Sequence, residues 1–381
     1  MKITSLGQAV DFARETLKAH PQRDGQTVRQ AALHGQRRRH SGLCLGLHTR
    51  PDDTTAAPSV FLPPQVEMPD GVEAKLAREL VAKFAPLDML NSVGTNFGSG
   101  AGTGTLVTLF GVPLDPQLQN APAYTLSIDD VLSQGLPDIP NAGLMPRIRG
   151  KINAVKDHLP EDFLVSGPDM QGPFNIAHQL TGTEALISPL TDPDKFRRLM
   201  DLVTNVWLDA HQIIADWIGP GRALPEPPRI AECSVNLVSR QVYDEFILPC
   251  DLRVRGALGP IGIHTCSGPH VFAATIEGIP DVVYTEAGYI EAAVQAAGYT
   301  PVEMALEAIG DRPIMLNIGE ELHDGDLFEQ VRRRLDLYAG NPRLLYAFTV
   351  MNGRKEDAPR VRELHQRLDD YWDSRSPGAA G

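Results

Sequence analysis

The stretch Gly259-Pro-Ile-Gly-Ile-His-Thr-Cys266 reads as an apolar strand that ends on two metal-binding side chains. A His and a Cys two apart on an extended strand end point to the same side. His264 and Cys266 can therefore reach one ion from a single rigid support. A second apolar run, Asp281-Val-Val-Tyr-Thr285, ends on Glu286, a third candidate ligand. Zinc accepts this nitrogen, sulfur and oxygen set, and a catalytic zinc needs three protein ligands and an open position.

Outward from that strand, the chain alternates from about residue 160 onward. Short β-rich runs fall at Phe163–Ser166, Arg229–Val235, Gly259–His264, Asp281–Thr285, Pro313–Asn317 and Arg343–Phe348. Helical spacing fills the gaps, at Thr183–Leu190, Pro193–Ile218, Ser239–Leu258, His270–Glu277, Ile290–Ala297, Pro301–Ile309, Leu327–Leu337 and Ala358–Trp372. Alternation sustained this long argues for a parallel sheet with crossover helices. No Gly-x-Gly-x-x-Gly turn follows the first strand, so a (β/α)8 barrel is expected over a doubly wound sheet. Chemistry in such a barrel sits at the C-terminal ends of its strands. Glu232, His264, Glu286 and the Asn317 region all fall at expected strand ends.

The N-terminal part reads differently. Ala9, Phe12, Ala13 and Leu17 form one helical stripe, and Val28, Ala31, Ala32 and Leu33 another. Pro51 to Pro64 reads as loop, and Val72 to Leu90 as a helix with Leu76, Leu80, Val81 and Phe84 on one face. The expected organisation is a helical extension and loop over residues 1–70 and the barrel over 71–375. Asn96-Phe-Gly-Ser-Gly-Ala-Gly-Thr-Gly104 lacks the Lys-Ser/Thr ending of a phosphate loop. It reads as a glycine-rich loop lining a pocket, because glycine lets the backbone approach a ligand closely.

Composition narrows the partners. The chain has 381 residues, 42% apolar and 22% charged, with a formal net charge of -13. A duplex nucleic-acid partner is not expected, since neutralising phosphates needs a basic face. The short cluster Arg37-Arg38-Arg39-His40 reads as a solvated loop. The four cysteines, Cys44, Cys233, Cys250 and Cys266, are neither finger-spaced nor dense enough for a disulfide framework. No signal peptide and no membrane-spanning apolar run is visible, so a cytoplasmic location is expected.

Several segments together carry a resemblance. They are Asn96-Phe-Gly98 with Leu109-Phe-Gly111, Leu144-Met-Pro-Arg147, Gly172-Pro-Phe-Asn-Ile-Ala177 with Leu180-Thr-Gly182, Tyr243-Asp-Glu-Phe-Ile-Leu-Pro249, and Ile263-His-Thr-Cys266. In their order and spacing, over roughly residues 75 to 372, the chain resembles the uroporphyrinogen decarboxylase superfamily, in particular its methyltransferase branch. The resemblance implies a (β/α)8 barrel with a funnel at the C-terminal face. It also implies a zinc that activates a thiol, with a methyl group passing between that nucleophile and a donor such as a methyl-corrinoid or a folate. His264 and Cys266 match the family's His-x-Cys, and Glu286 matches the glutamate of the related cobalamin-independent methionine synthases. The family's last ligand is a Cys before Gly; here the position reads Asn352-Gly353, so an amide oxygen or water stands in for a thiolate. The Arg-rich and Asp-containing segments that grip a tetrapyrrole in true decarboxylases have no match.

The resulting expectation is a metal set of His264, Cys266 and Glu286, with Glu232 and His270 as candidate acid–base groups. Asn96, Phe97, Gly98, His178, Tyr284, Asn317 and Asn352 are the expected substrate contacts. Cys233 is expected in core packing, on the side of its strand away from Glu232. Zinc is the implied cofactor, with a corrinoid supplied by a partner protein as a further one. The resemblance leaves a homodimer and a separate corrinoid protein both open. A metal-independent decarboxylase or lyase, and a barrel that binds such a ligand without turnover, are the competing readings.

Overall fold

Two kinds of spacing, period 2 in short apolar runs and period 3.6 between them, organise the chain. The computed structural model describes residues 1–19, 43–49, 64–84, 97–98, 102–115, 121–224, 227–265, 275, 277–280, 282–288, 314–321, 328–329, 332, 344–353, 363–364, 366–367 and 370–371. Residues 43–49, 265, 284–288, 314–321 and 344–353 are described by backbone alone. The result is a mixed α/β fold in which every strand pairing of described register is parallel. It divides into two units: Met1–Thr95 with Ala287–Tyr289 and Pro313–Gly381, and Asn96–Glu286 with Ile290–Arg312. No described helix is long and apolar enough to cross a membrane.

The first unit contains β1 (Lys2–Ile3), α1 (Leu6–Ala19), β2 (Leu43–Thr49), β3 (Gln65–Val66), α2 (Val72–Phe84), β9 (Ile314–Glu321) and β10 (Leu344–Gly353), numbered in chain order. Leu6, Ala9, Val10 and Ala13 of α1 are buried, as are Leu76, Leu80, Val81 and Phe84 of α2, and the two helices pack together. Phe12 and Leu17, expected on the buried stripe, are only half-buried. The second expected stripe and residues 85–90 lie outside the described residues. Strand β10 runs parallel between β2 and β9. Strand β2 falls in a segment that the sequence reading leaves without an element. Both C-terminal strands run further than expected. Asn317 lies inside β9 opposite Phe348, and Asn352 lies near the end of β10 opposite Glu321 and His48. Ile318 continues the apolar pattern past Asn317, and Val350 and Met351 continue it past Phe348.

The second unit begins with β4 (Phe97–Gly98), paired with β5 (Val165–Ser166). Helices α3 (Ile128–Gln134), α4 (Met145–His158), α5 (Pro173–Thr181), α6 (Thr183–Thr191) and α7 (Pro193–Ile218) follow or flank them. A capping box starts α3: Ser127 Oγ accepts from the Asp130 N–H at 3.0 Å, and the Asp130 carboxylate accepts from the Ser127 N–H at 3.3 Å. Asp192 caps α7 through the Lys195 N–H, Pro193 opens it, and Gly219 at φ 75° ends it. Its buried stripe includes Phe196, Leu199, Met200, Val203 and Trp207.

Strand β6 (Arg229–Ala231) pairs with β7 (Gly262–Thr265), placing Ile230 opposite Ile263 and Ala231 opposite His264. Both isoleucines are 1% exposed. Burying each such side chain contributes about 1.5–3 kcal/mol. The Val283 N–H donates to Ile261 C=O at 3.0 Å just before β8 (Tyr284–Gly288), in which Glu286 is central rather than terminal. The expected helix over Ser239–Leu258 is interrupted. An α-turn at Arg240–Val242 opens into a π-turn at Tyr243–Ile247, then α8 (Leu248–Leu258). Pro249 has no N–H for the Glu245 carbonyl and its ring crowds that carbonyl; the wider turn relieves this.

Candidate functional site

The site is built where β6 ends. Glu232 follows the last residue of β6, and its N–H donates to His264 C=O at 3.0 Å. Its side chain is 1% exposed. Both carboxylate oxygens are engaged by the first turn of α5: the Phe174 N–H donates to Oε1 at 2.9 Å and the Asn175 N–H to Oε2 at 3.0 Å. A helix N-terminus offers such N–H groups with a favourable dipole. Gly172, just before α5, makes the approach possible: a Cβ there would sit 2.3 Å from the Glu232 carboxyl.

A second carboxyl faces the first. Asp251 of α8 is 0% exposed and lies near enough to Glu232 for the two titrations to be linked, and the Tyr243 hydroxyl donates to Asp251 Oδ2 at 3.2 Å. Burial, and then the charge of Asp251, push Glu232 well above the usual carboxylate range, against the pull of the two backbone N–H groups. Burial likewise pushes Asp251 up to about 7. Two neighbouring carboxyls this deeply buried resist carrying two charges at once. Burial first, then Asp251, also raises the Tyr243 phenol well above its ordinary value, and Thr275 is a further hydrogen-bond partner of it.

A polar chain runs on from Glu232. Asn175 Nδ2 donates to Gln171 Oε1 at 2.6 Å, and Asn175 Oδ1 accepts from the Ser234 N–H at 2.6 Å. Ser234 Oγ lies 2.9 Å from His178 Nδ1. The corner before α5 is fixed from behind. Trp207 Nε1 donates to Gln171 C=O at 3.1 Å, and Asp169 bridges the Gln171 N–H and Arg229. Gln171 adopts φ 58°, a left-handed conformation rare outside glycine.

The expected site residues are distributed as follows. His264 is half-buried on β7, opposite Ala231. Cys266, His270 and Asn96 lie outside the described residues, and Tyr284, Glu286, Asn317 and Asn352 are placed by backbone alone. Among the described residues no group of three His, Cys, Asp or Glu side chains is placed to hold a metal. Phe97 is buried, with its ring 6.1 Å from that of Phe163, and Gly98 pairs with Ser166. His178 is half-buried, and burial lowers its pKa. Cys233 does not pack on a strand face: β6 has already ended, and the residue opens a 3-10 turn (Cys233–Leu237), half-exposed. Gly172, Asn175, Ser234, Tyr243 and Asp251 were not read as site residues. Three of them lie in the segments Gly172–Ala177 and Tyr243–Pro249 quoted above; Asp251 had no signal beyond a lone charge in a helix.

What the fold defines is an α/β protein whose polar cluster gathers at the end of a parallel strand. Solved structures share the fold: a methyltransferase from Methanosarcina mazei matches with a TM-score of 0.51 at 14% identity, over 76% of this chain and 85% of that one. No protein-family model matches the chain, and no curated protein matches it. At that identity the likeness speaks for the fold.

Proposed function

We propose that the chain is a zinc-dependent methyltransferase, moving a methyl group between a small-molecule or corrinoid donor and a thiol or corrinoid acceptor. The observation that carries this reading is the fold shared with a methyltransferase, taken with a strand, β7, that ends between His264 and Cys266. The reading takes the strands as a closed (β/α)8 barrel, which the parallel pairing within each unit supports. It places the protein with uroporphyrinogen decarboxylase-like enzymes, supplied with corrinoid by a partner protein.

The donor chemistry fits the metal: the imidazole of His264, the thiolate of Cys266 and the carboxylate of Glu286 are a set that zinc accepts, with an open fourth position. Zinc bound there supplies a thiolate nucleophile at neutral pH. The chain's own part is rigidity. His264 is fixed because Glu232 ties its carbonyl to β6, and Glu232 is itself clamped by α5. Such anchoring holds reactants in line, where proximity supplies much of the rate.

Metal analysis of the full-length protein tests this. Stoichiometric zinc that His264→Ala and Cys266→Ser both lose supports it. Protein that neither carries nor takes up zinc overturns it. The burial of two neighbouring carboxyls, Glu232 and Asp251, both raised in pKa by that burial, favours a second reading, a metal-independent decarboxylase or lyase with one of them as acid. Turnover that survives a chelator selects it.

A further inference from the structure

Ser234 and His178 serve neither the metal set nor the carboxyl pair, yet they meet with a nucleophile–base geometry. Ser234 Oγ is 2.9 Å from His178 Nδ1, and both side chains are partly exposed. The surroundings hold both partners. The Ser234 N–H is tied to Asn175 Oδ1 at 2.6 Å, and the Asn175 N–H is tied to Glu232 at 3.0 Å. His178 stands one helical turn beyond Phe174 on α5, stacked on it with ring centroids 6.4 Å apart and planes 14° from parallel. Burial lowers the pKa of His178, so the ring is neutral at neutral pH and one nitrogen accepts a proton.

We propose that Ser234 and His178 form a nucleophile–base pair for acyl or phosphoryl electrophiles. Ser234 Oγ bonds to the electrophilic carbon or phosphorus, its proton passes to His178 Nδ1, and the leaving group departs with the electrons of the broken bond. The corner at Gln171 and the Glu232 clamp on α5 keep the two side chains in register. Asn175 is a positioning residue: it touches Ser234 only through the backbone N–H. The pair stands apart from the metal reading and uses none of its ligands.

The test is labelling of the full chain with diisopropyl fluorophosphate, with and without a chelator, followed by peptide mass spectrometry. The Oγ–P bond forms, the P–F bond breaks, fluoride leaves and the proton goes to His178. The expected result is a single adduct on Ser234, formed at the same rate with and without chelator. Ser234→Ala abolishes it. His178→Gln keeps a hydrogen-bond acceptor but loses the base, and labels about 100-fold more slowly. An intact chain with no adduct on Ser234, or equal rates for wild type and His178→Gln, overturns the proposal. The adduct position on the wild-type chain decides the matter even where a variant does not fold. Chelator sensitivity of zinc content is read separately, so failure of the metal reading is distinguishable.

Discussion

The carboxyl of Glu232 occupies the space that a β-carbon on residue 172 would need, 2.3 Å from where that carbon would sit. Gly172 is therefore required by its neighbour, not by its own backbone. Gly172→Ala must push Glu232 off the N–H groups of Phe174 and Asn175 or shift α5. Either costs about 1–3 kcal/mol, the usual penalty of overpacking. A urea midpoint lower than wild type, by that free energy divided by the denaturant slope, is the expected reading; an unchanged midpoint contradicts the geometry.

Stability should fall as pH rises, through the carboxyl pair. Burial raises Asp251 in the folded chain to about 7 from 3.8. Between those values the native state holds a proton that the unfolded state has released. The benefit of that proton is fully present below the unfolded value and is lost as pH climbs through about 7. Glu232, also raised, acts in the same direction. Asp251→Asn removes a titrating partner, so its stability difference from wild type should change between pH 5 and pH 8. A difference that stays constant across this window argues against the raised titration of Asp251.

Tyr243→Phe isolates one contact of that pair. The phenol donates to Asp251 at 3.2 Å and draws its titration downward. Without it Asp251 titrates higher still, and stability drops by about 1 kcal/mol, the net worth of one hydrogen bond. Carboxyl resonances followed by NMR through the titration would show the upward shift.

Arg222 offers a test of the scaffold away from the site. Its guanidinium donates to the carbonyls of Lys156, Leu159, Pro160 and Phe163, gathering the end of α4 and the entry to β5. Arg222→Ala strands these acceptors and should cost about 3 kcal/mol or more. Arg222→Lys recovers only part, because an ammonium lacks the planar fork.

The longest helix was legible in the sequence. Pro193 to Ile218 is bounded by an acidic cap, a leading proline and a terminal glycine, and the structure has that helix at those bounds. The parallel pairing of β6 with β7 was legible from the alternation of strands with helices. Strand ends were less so, since Asn317 and Glu286 lie inside strands that a polar residue did not stop. Helices α3, α4 and α5 have no counterpart in the sequence reading, although α6, as short as α5, does at Thr183–Leu190. The carboxyl pair was half legible. Glu232 stood at an expected strand end, but Asp251 meets it only because a π-turn precedes α8, and no hydrophobic period encodes that turn.

That π-turn sets the phase of everything after it. A regular α-helix advances about 100° per residue. Deleting one residue from Tyr243–Ile247 would let the segment rewind to ordinary pitch and swing the following helix by about that angle. Asp251 would then leave the face it shares with Glu232, while Val254 and Cys250 would be dragged from the apolar side. A single extra residue thus acts as a phase spacer that lets one helix serve the hydrophobic interior and the acid pair at once.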